Sequence, residues 1–231
     1  MKKILTVTVI AWAVAASFAA LPAKAESAAA MALAKDDIAD LVNRWTFYRD
    51  QERWEELRAV FHRDGEIHLS WYSGPYDGFV AASKKLAEKG GTKVKHLIGV
   101  PVIELHQDRA VSEVNVIIKA RIFSPAGEVD VTSYARFYDL LERRGGAWRI
   151  FRRTAIYETD RIDPVTQNNL PPALFADVDQ FPGALKFLAS SMNRLGIQLA
   201  PTVVVDDSEP LKELYASGQA WLAGPPNGSG Q

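Results

Sequence analysis

Apolar residues first recur at helical spacing. From Asp36 or Asp37, either of which serves as a cap, Ile38, Leu41, Val42, Trp45 and Tyr48 follow an i, i+3, i+4, i+7 pattern. That predicts an amphipathic helix. A second, shorter helix carries Trp54, Leu57, Val60 and Phe61 on its buried side. Arg63-Asp64-Gly65 reads as a turn. Ile67, Leu69 and Trp71 then alternate with Glu66, His68 and Ser70, a strand with two unlike faces, the second of them solvated. After Ser73-Gly74-Pro75, Gly78 to Lys89 predicts a third helix closed by Gly90-Gly91.

From Thr92 the period becomes two. Lys93 to His106 is read as one strand bent at Pro101, which cannot donate to a sheet ladder. Ala110 to Phe123 alternates Val114, Val116, Ile118, Ala120 and Ile122 against Glu113, Asn115, Lys119 and Arg121. Val129 to Glu142 and Ala147 to Glu158 complete the set, and the tight turns between them predict an antiparallel meander. Helix, helix, strand, helix and four strands bury these faces most economically as one α+β domain, a curved antiparallel sheet wrapped over N-terminal helices.

Beyond Asp163-Pro164 the pattern changes. Phe181, Leu185, Leu188, Met192 and Leu195 fit a helix stopped by Gly196, Val203 to Val205 an edge strand, and Ser208 the cap of a last helix with Leu211, Leu214, Tyr215 and Trp221. Residues 168–223 are too few for a core of their own, so they are read as an extension packed on the domain or on a neighbouring subunit. The Pro/Gly/Ser-rich tail, 224–231, is read as disordered.

The N-terminus changes the picture of location. Met1-Lys2-Lys3, an apolar run from Ile4 to Leu21, Pro22 and Ala23-Lys24-Ala25 read as a secretory signal peptide over residues 1–25, with an uncleaved anchor as the alternative. Cleavage leaves no stable membrane anchor and a periplasmic or secreted chain of 231 − 25 = 206 residues. With no cysteine, there are no disulfides, no thiol catalysis and no Cys-ligated metal. A net charge of −1 gives no support to a nucleic-acid partner. Four scattered histidines without an i, i+4 pair predict no metal site; His62 and His106 fall at element ends and read as exposed.

Three stretches carry a family resemblance. Tyr48-Arg49-Asp50-Gln51-Glu52-Arg53-Trp54-Glu55-Glu56-Leu57 is similar to the helix-to-helix segment of SnoaL-like proteins. Lys95-His96-Leu97-Ile98-Gly99 resembles the His-bearing strand of the scytalone dehydratase and hexachlorocyclohexane dehydrochlorinase branch. Tyr138 through Arg143-Arg144-Gly145-Gly146-Ala147-Trp148-Arg149-Ile150 resembles that group's final hairpin. The likeness covers about residues 36–163 and lies in order and spacing rather than in one motif. It implies a nuclear transport factor 2-like fold with a cone-shaped cavity, in which Asp50 and His96, 96 − 50 = 46 positions apart, form a catalytic pair. An ungapped count puts Arg121 where scytalone dehydratase has a second pocket His, and Tyr134 where it has an Asn, so the full scytalone site is absent.

Such a pair has a clear chemistry. Histidine titrates near neutrality, and a carboxylate on one ring nitrogen fixes its tautomer and stabilises the imidazolium. His96 is expected to take a proton from carbon with Asp50 in support, giving a cofactor-free elimination or isomerisation of a small apolar molecule. In a second version Asp50 is itself the base. Tyr48, Trp71, Tyr134 and Arg121 are the expected substrate contacts. Read from the residues alone, Asp50 as a helix cap and His96 as a hydrogen-bonded core residue stay open. Two other functions also stay open: a non-catalytic ligand-binding or assembly protein of the same fold, and an interaction module whose cavity is filled. Every reading implies a homo-oligomer, a dimer or trimer, because one sheet face needs cover.

Overall fold

A computed structural model describes residues 23–124, 127–166 and 169–224. The expected leader therefore lies outside the described residues up to residue 22, as does the tail from residue 225. Helix α1 spans Ala23–Asp50, so the expected start at Asp36 or Asp37 is corrected. The reason is propensity: Ser27 to Ala34 is mostly alanine, the best helix former, and nothing after Pro22 breaks the run. Ser27 to Leu33 are exposed, and the apolar stripe becomes buried only from Ile38 through Val42 and Trp45. Among the described residues no helix is long and apolar enough to cross a membrane.

Helix α2 (Trp54–Ala59) leads directly into β1 (Phe61–His68). Arg63-Asp64-Gly65 is thus no turn but an irregularity inside the strand, with Phe61 opposite Ile150 and Glu66 already opposite Arg152. Gly65 permits it, since a Cβ there would lie 2.9 Å from the His62 carbonyl oxygen. The short β2 (Ser73–Pro75) precedes α3 (Tyr76–Lys89). The single bent strand expected over residues 93–106 is two, β3 (Thr92–Ile98) and β4 (Val102–His106), because the chain leaves the ladder at Gly99 to Pro101; both pair with β5 (Arg109–Ser124). The long strands β6 (Gly127–Arg144) and β7 (Ala147–Pro164) follow.

The sheet runs β2-β1-β7-β6-β5-β3, with β1 parallel to β7 and the later strands antiparallel. Its inner face, including Val131, Ala135, Phe137 and Leu141, closes on α1, α2 and α3 around Trp45, Leu57 and Phe79. Each Val, Leu or Phe side chain among them contributes about 1.5–3 kcal/mol by leaving water.

The C-terminal extension packs on both faces of the same sheet. Three single turns of 3-10 helix lead to α4 (Lys186–Arg194), whose Leu188, Ala189 and Met192 join the inner core. The Leu188 amide donates to Asp160 Oδ2 at 2.7 Å and the Ala200 amide to the Ser70 carbonyl at 2.7 Å. Ser70, expected in solvent, is buried for that reason. Strand β8 (Val204–Val205) joins the sheet by pairing parallel with β7 and leads the chain to the outer face. Helix α5 (Glu209–Ala223), capped by Ser208, sets Leu211 against Val111, Tyr138, Leu140 and Ile156. Arg136 ties the outer layer down by pairing with Glu113, Glu158 and Asp206.

Candidate active site

Helix α1 ends beside the free edge of β3, and this meeting builds the site. In an edge strand alternate backbone N–H groups point away from the sheet and need a partner. The His96 amide is such a group, and it donates to Asp50 Oδ2 at 2.9 Å. The imidazole of the same residue turns back, with Nδ1 at 2.6 Å from Asp50 Oδ1. Lys95 Nζ adds a contact to Oδ2 at 3.2 Å. One carboxylate thus clamps both backbone and ring of His96. The two side chains are 2% (Asp50) and 8% (His96) exposed, so the clamp works in a mostly water-free setting.

The other sides of the ring are aromatic. Trp45 meets it edge-on at 5.5 Å between centroids and Phe137 lies at 6.4 Å. Beneath those rings the Arg153 guanidinium sits 4.5 Å from the Trp45 centroid and 4.4 Å from that of Phe137. Arg153 makes a bidentate pair with Asp139, at 2.7 and 2.6 Å. The rings that position His96 thus rest on a buried ion pair.

Burial pushes His96 below its ordinary value of 6.5. Asp50 opposes the shift without overcoming it, while the positive charges of Arg49 and Arg153 add to it. For Asp50, burial works upward, but the hydrogen bonds from His96 and Lys95 prevail and hold the carboxyl below its usual range. Both shifts describe one state, a neutral imidazole beside a carboxylate. Because a carboxylate only accepts, Nδ1 carries the hydrogen, and Nε2 keeps a lone pair with no hydrogen-bond partner among the described residues.

Asp50 and His96 both line a cavity of about 350 Å³, within the range that takes small organic molecules. Trp45, Trp71, Phe79, Phe137 and Tyr157 make its walls aromatic. Tyr157 is fixed in place because its hydroxyl accepts from the Ser70 amide at 2.9 Å. Leu188 and Met192 of α4 form a further wall.

Of the expected substrate contacts, Trp71 lines this cavity and three do not. Arg121 stands on the outer sheet face, opposite Asp130, with which it pairs at 2.7 and 2.8 Å. The inward positions of that strand are Ile118, Ala120 and Ile122. Tyr134 is 37% exposed on the same outer face, in register with Ile117. Tyr48 packs beside the core with its ring under Arg53 at 4.9 Å, away from the cavity. His62, expected exposed, is buried with Nε2 2.9 Å from the Glu142 carbonyl oxygen. Sequence reasoning missed Arg49, which lines the cavity next to Asp50, and the α4 wall. Arg49 had a signal, since it extends the Ile38–Val42–Trp45 stripe by one turn.

The family model for the SnoaL-like domain matches residues 30–154. The chain belongs to the SnoaL-like family. Its architecture, a largely antiparallel sheet closed over N-terminal helices, is the α+β arrangement expected from the sequence. Pea pathogenicity protein 2 of Fusarium vanettenii is 29% identical over 210 residues, covering 84% of this chain and 88% of that protein. A PEP2-like protein of the same fungus is 30% identical over 158 residues, 65% of each chain. Among solved structures, a type 2 hexachlorocyclohexane dehydrochlorinase (LinA) is similar at 17% identity and a TM-score of 0.49, covering 65% of this chain and 99% of that one. A Mycobacterium tuberculosis protein of unknown function is similar at 19% identity and a TM-score of 0.48, covering 79% and 99%.

Proposed function

We propose that this SnoaL-like protein is a cofactor-independent lyase or isomerase acting on a small, largely apolar molecule. The observation that carries the reading is the 2.6 Å contact between Asp50 Oδ1 and His96 Nδ1 at the wall of an aromatic cavity. His96 Nε2 takes a proton from a substrate carbon. The electron pair of that C–H bond then expels a leaving group, or moves into an adjacent acceptor before the proton returns elsewhere. The imidazolium is stabilised by Asp50, which stays ionised because it is held below its usual range. Two unit charges about 4 Å apart attract by roughly 4 kcal/mol at an effective dielectric near 20, so the carboxylate is worth orders of magnitude in rate.

A generic set of compounds suffices for the test. A panel of small aromatic ketones and halides is incubated with the protein in D₂O, and carbon-bound deuterium or released halide is followed by NMR. Wild type is expected to exchange or eliminate on at least one compound, with Asp50→Asn and His96→Ala slower by about 10²–10⁴-fold. Equal rates in wild type and both variants would sink the proposal.

Two further features belong to the same reading. Export to the periplasm or beyond is supported by the basic start, apolar run and Ala23-Lys24-Ala25 of the sequence. Self-association is supported by Leu97, Ile117 and Tyr134, which the register sets side by side as an exposed apolar row on the outer sheet face.

A further inference from the structure

We infer that Arg49 is the polar anchor of the cavity, and that the ligand it selects is a small aromatic or otherwise apolar carbonyl compound whose oxygen accepts from the guanidinium. The inference deepens the proposed function and rests on its assignment of His96 as the base.

Arg49 lines the cavity beside Asp50 and His96. Most other arginines near the sheet are paired: Arg121 with Asp130, Arg136 with three carboxylates, Arg152 with Glu66 and Arg153 with Asp139. The Arg49 guanidinium has neither an ion pair nor a hydrogen bond among the described residues, and it rests 5.6 Å from the Trp54 ring centroid. An arginine carries five N–H donors in a fixed fork and is always charged. The side chain is half-buried, so its fork is only partly hydrated without a protein acceptor, and burial presses its pKa downward. An acceptor entering the cavity offsets that effect.

The chemistry of His96 says which acceptor. A neutral imidazole held below its ordinary pKa is a weak base, so the C–H bond it breaks must be acidified. An adjacent carbonyl does this. As Nε2 takes the proton, the C–H electrons form a C=C bond and the carbonyl π pair moves onto oxygen, giving an enolate. The oxyanion lies against the Arg49 fork, whose donors are already in place. Reprotonation at another carbon completes an isomerisation, and loss of a β-substituent with the returning electron pair completes an elimination. No oxidant, reductant or co-reactant is needed.

Two probes of nearly equal shape isolate the oxygen: 2-acetylnaphthalene and 2-ethylnaphthalene, titrated calorimetrically into the mature chain without any turnover readout. Wild type is expected to bind the ketone about ten- to a hundred-fold more tightly, the worth of one hydrogen bond to a charged group. Arg49→Met should remove that preference without weakening the hydrocarbon, and Arg49→Lys should keep part of it. Equal affinities in wild type, failure of wild type to bind the ketone, or a preference that survives Arg49→Met overturns the inference. A ketone preference in a protein that shows no carbon–deuterium exchange keeps Arg49 as the anchor and removes His96 as the base, so the two assignments fail separately.

Discussion

Asp139→Ala removes half of an ion pair whose two side chains are both 0% exposed. The variant leaves the Arg153 guanidinium charged between Trp45 and Phe137, with two hydrogen bonds of 2.7 and 2.6 Å gone. Breaking a buried pair from one side costs about 3–5 kcal/mol, whereas replacing both partners with apolar residues of similar volume is often neutral. Asp139→Leu combined with Arg153→Met should therefore recover most of what Asp139→Ala loses. Urea unfolding followed by tryptophan fluorescence reads both. With a slope near 2 kcal/mol/M, the single variant moves the midpoint by roughly 2 M and the double variant by well under 1 M. A single-variant loss below about 1 kcal/mol, or a double variant no better than the single, would refute the idea that this pair holds the floor under His96.

Three other outcomes follow from particular contacts. The rate of proton transfer should fall on the acid side with a midpoint below 6.5, because burial holds His96 under that value and the neutral ring is the active form. A fall centred above 6.5 in a pH–rate profile contradicts this. Gly218→Val should destabilise by about 1–3 kcal/mol, since a Cβ there would lie 1.9 Å from the Tyr138 hydroxyl; a melting temperature lower by roughly 2–10 °C, with the Asp50–His96 site intact, is expected. Ile117→Lys adds a charge to the exposed Leu97–Ile117–Tyr134 row beside Lys119, and light scattering should show wild type as an oligomer and the variant as a monomer. A wild type already monomeric at micromolar concentration would remove that row as an interface.

The alternation of the long strands holds the information that separates cavity from solvent. In residues 110–123 the apolar phase falls on Ile118, Ala120 and Ile122, and those positions face the cavity, while Arg121 falls on the polar phase and faces out. Expecting Arg121 in the pocket runs against that phase. Tyr134 repeats the point, sitting between the inward Ser133 and Ala135. The Asp50–His96 encounter is not legible from pattern, because it depends on where α1 ends against a sheet edge, 46 residues away in sequence; the family resemblance supplies it. The fold is more legible. Each strand of the meander has a clear period, and the helices have apolar stripes. The start of α1 is hidden because an alanine run has strong helix propensity but no polarity pattern. The wall formed by α4 is hidden because no local signal says which face of a sheet a later segment will cover.

The proposed chemistry requires a neutral His96 ring whose hydrogen is fixed on Nδ1 by Asp50, leaving Nε2 as the base. Long-range ¹H–¹⁵N correlation of the imidazole, with His96 assigned by its loss in His96→Gln, reads this directly at neutral pH. A protonated, pyrrole-type Nδ1 and an unprotonated, pyridine-type Nε2 are predicted in wild type, with the Nδ1 preference lost in Asp50→Asn. A ring that carries its hydrogen on Nε2, or one that stays doubly protonated at pH 7, would contradict that chemistry.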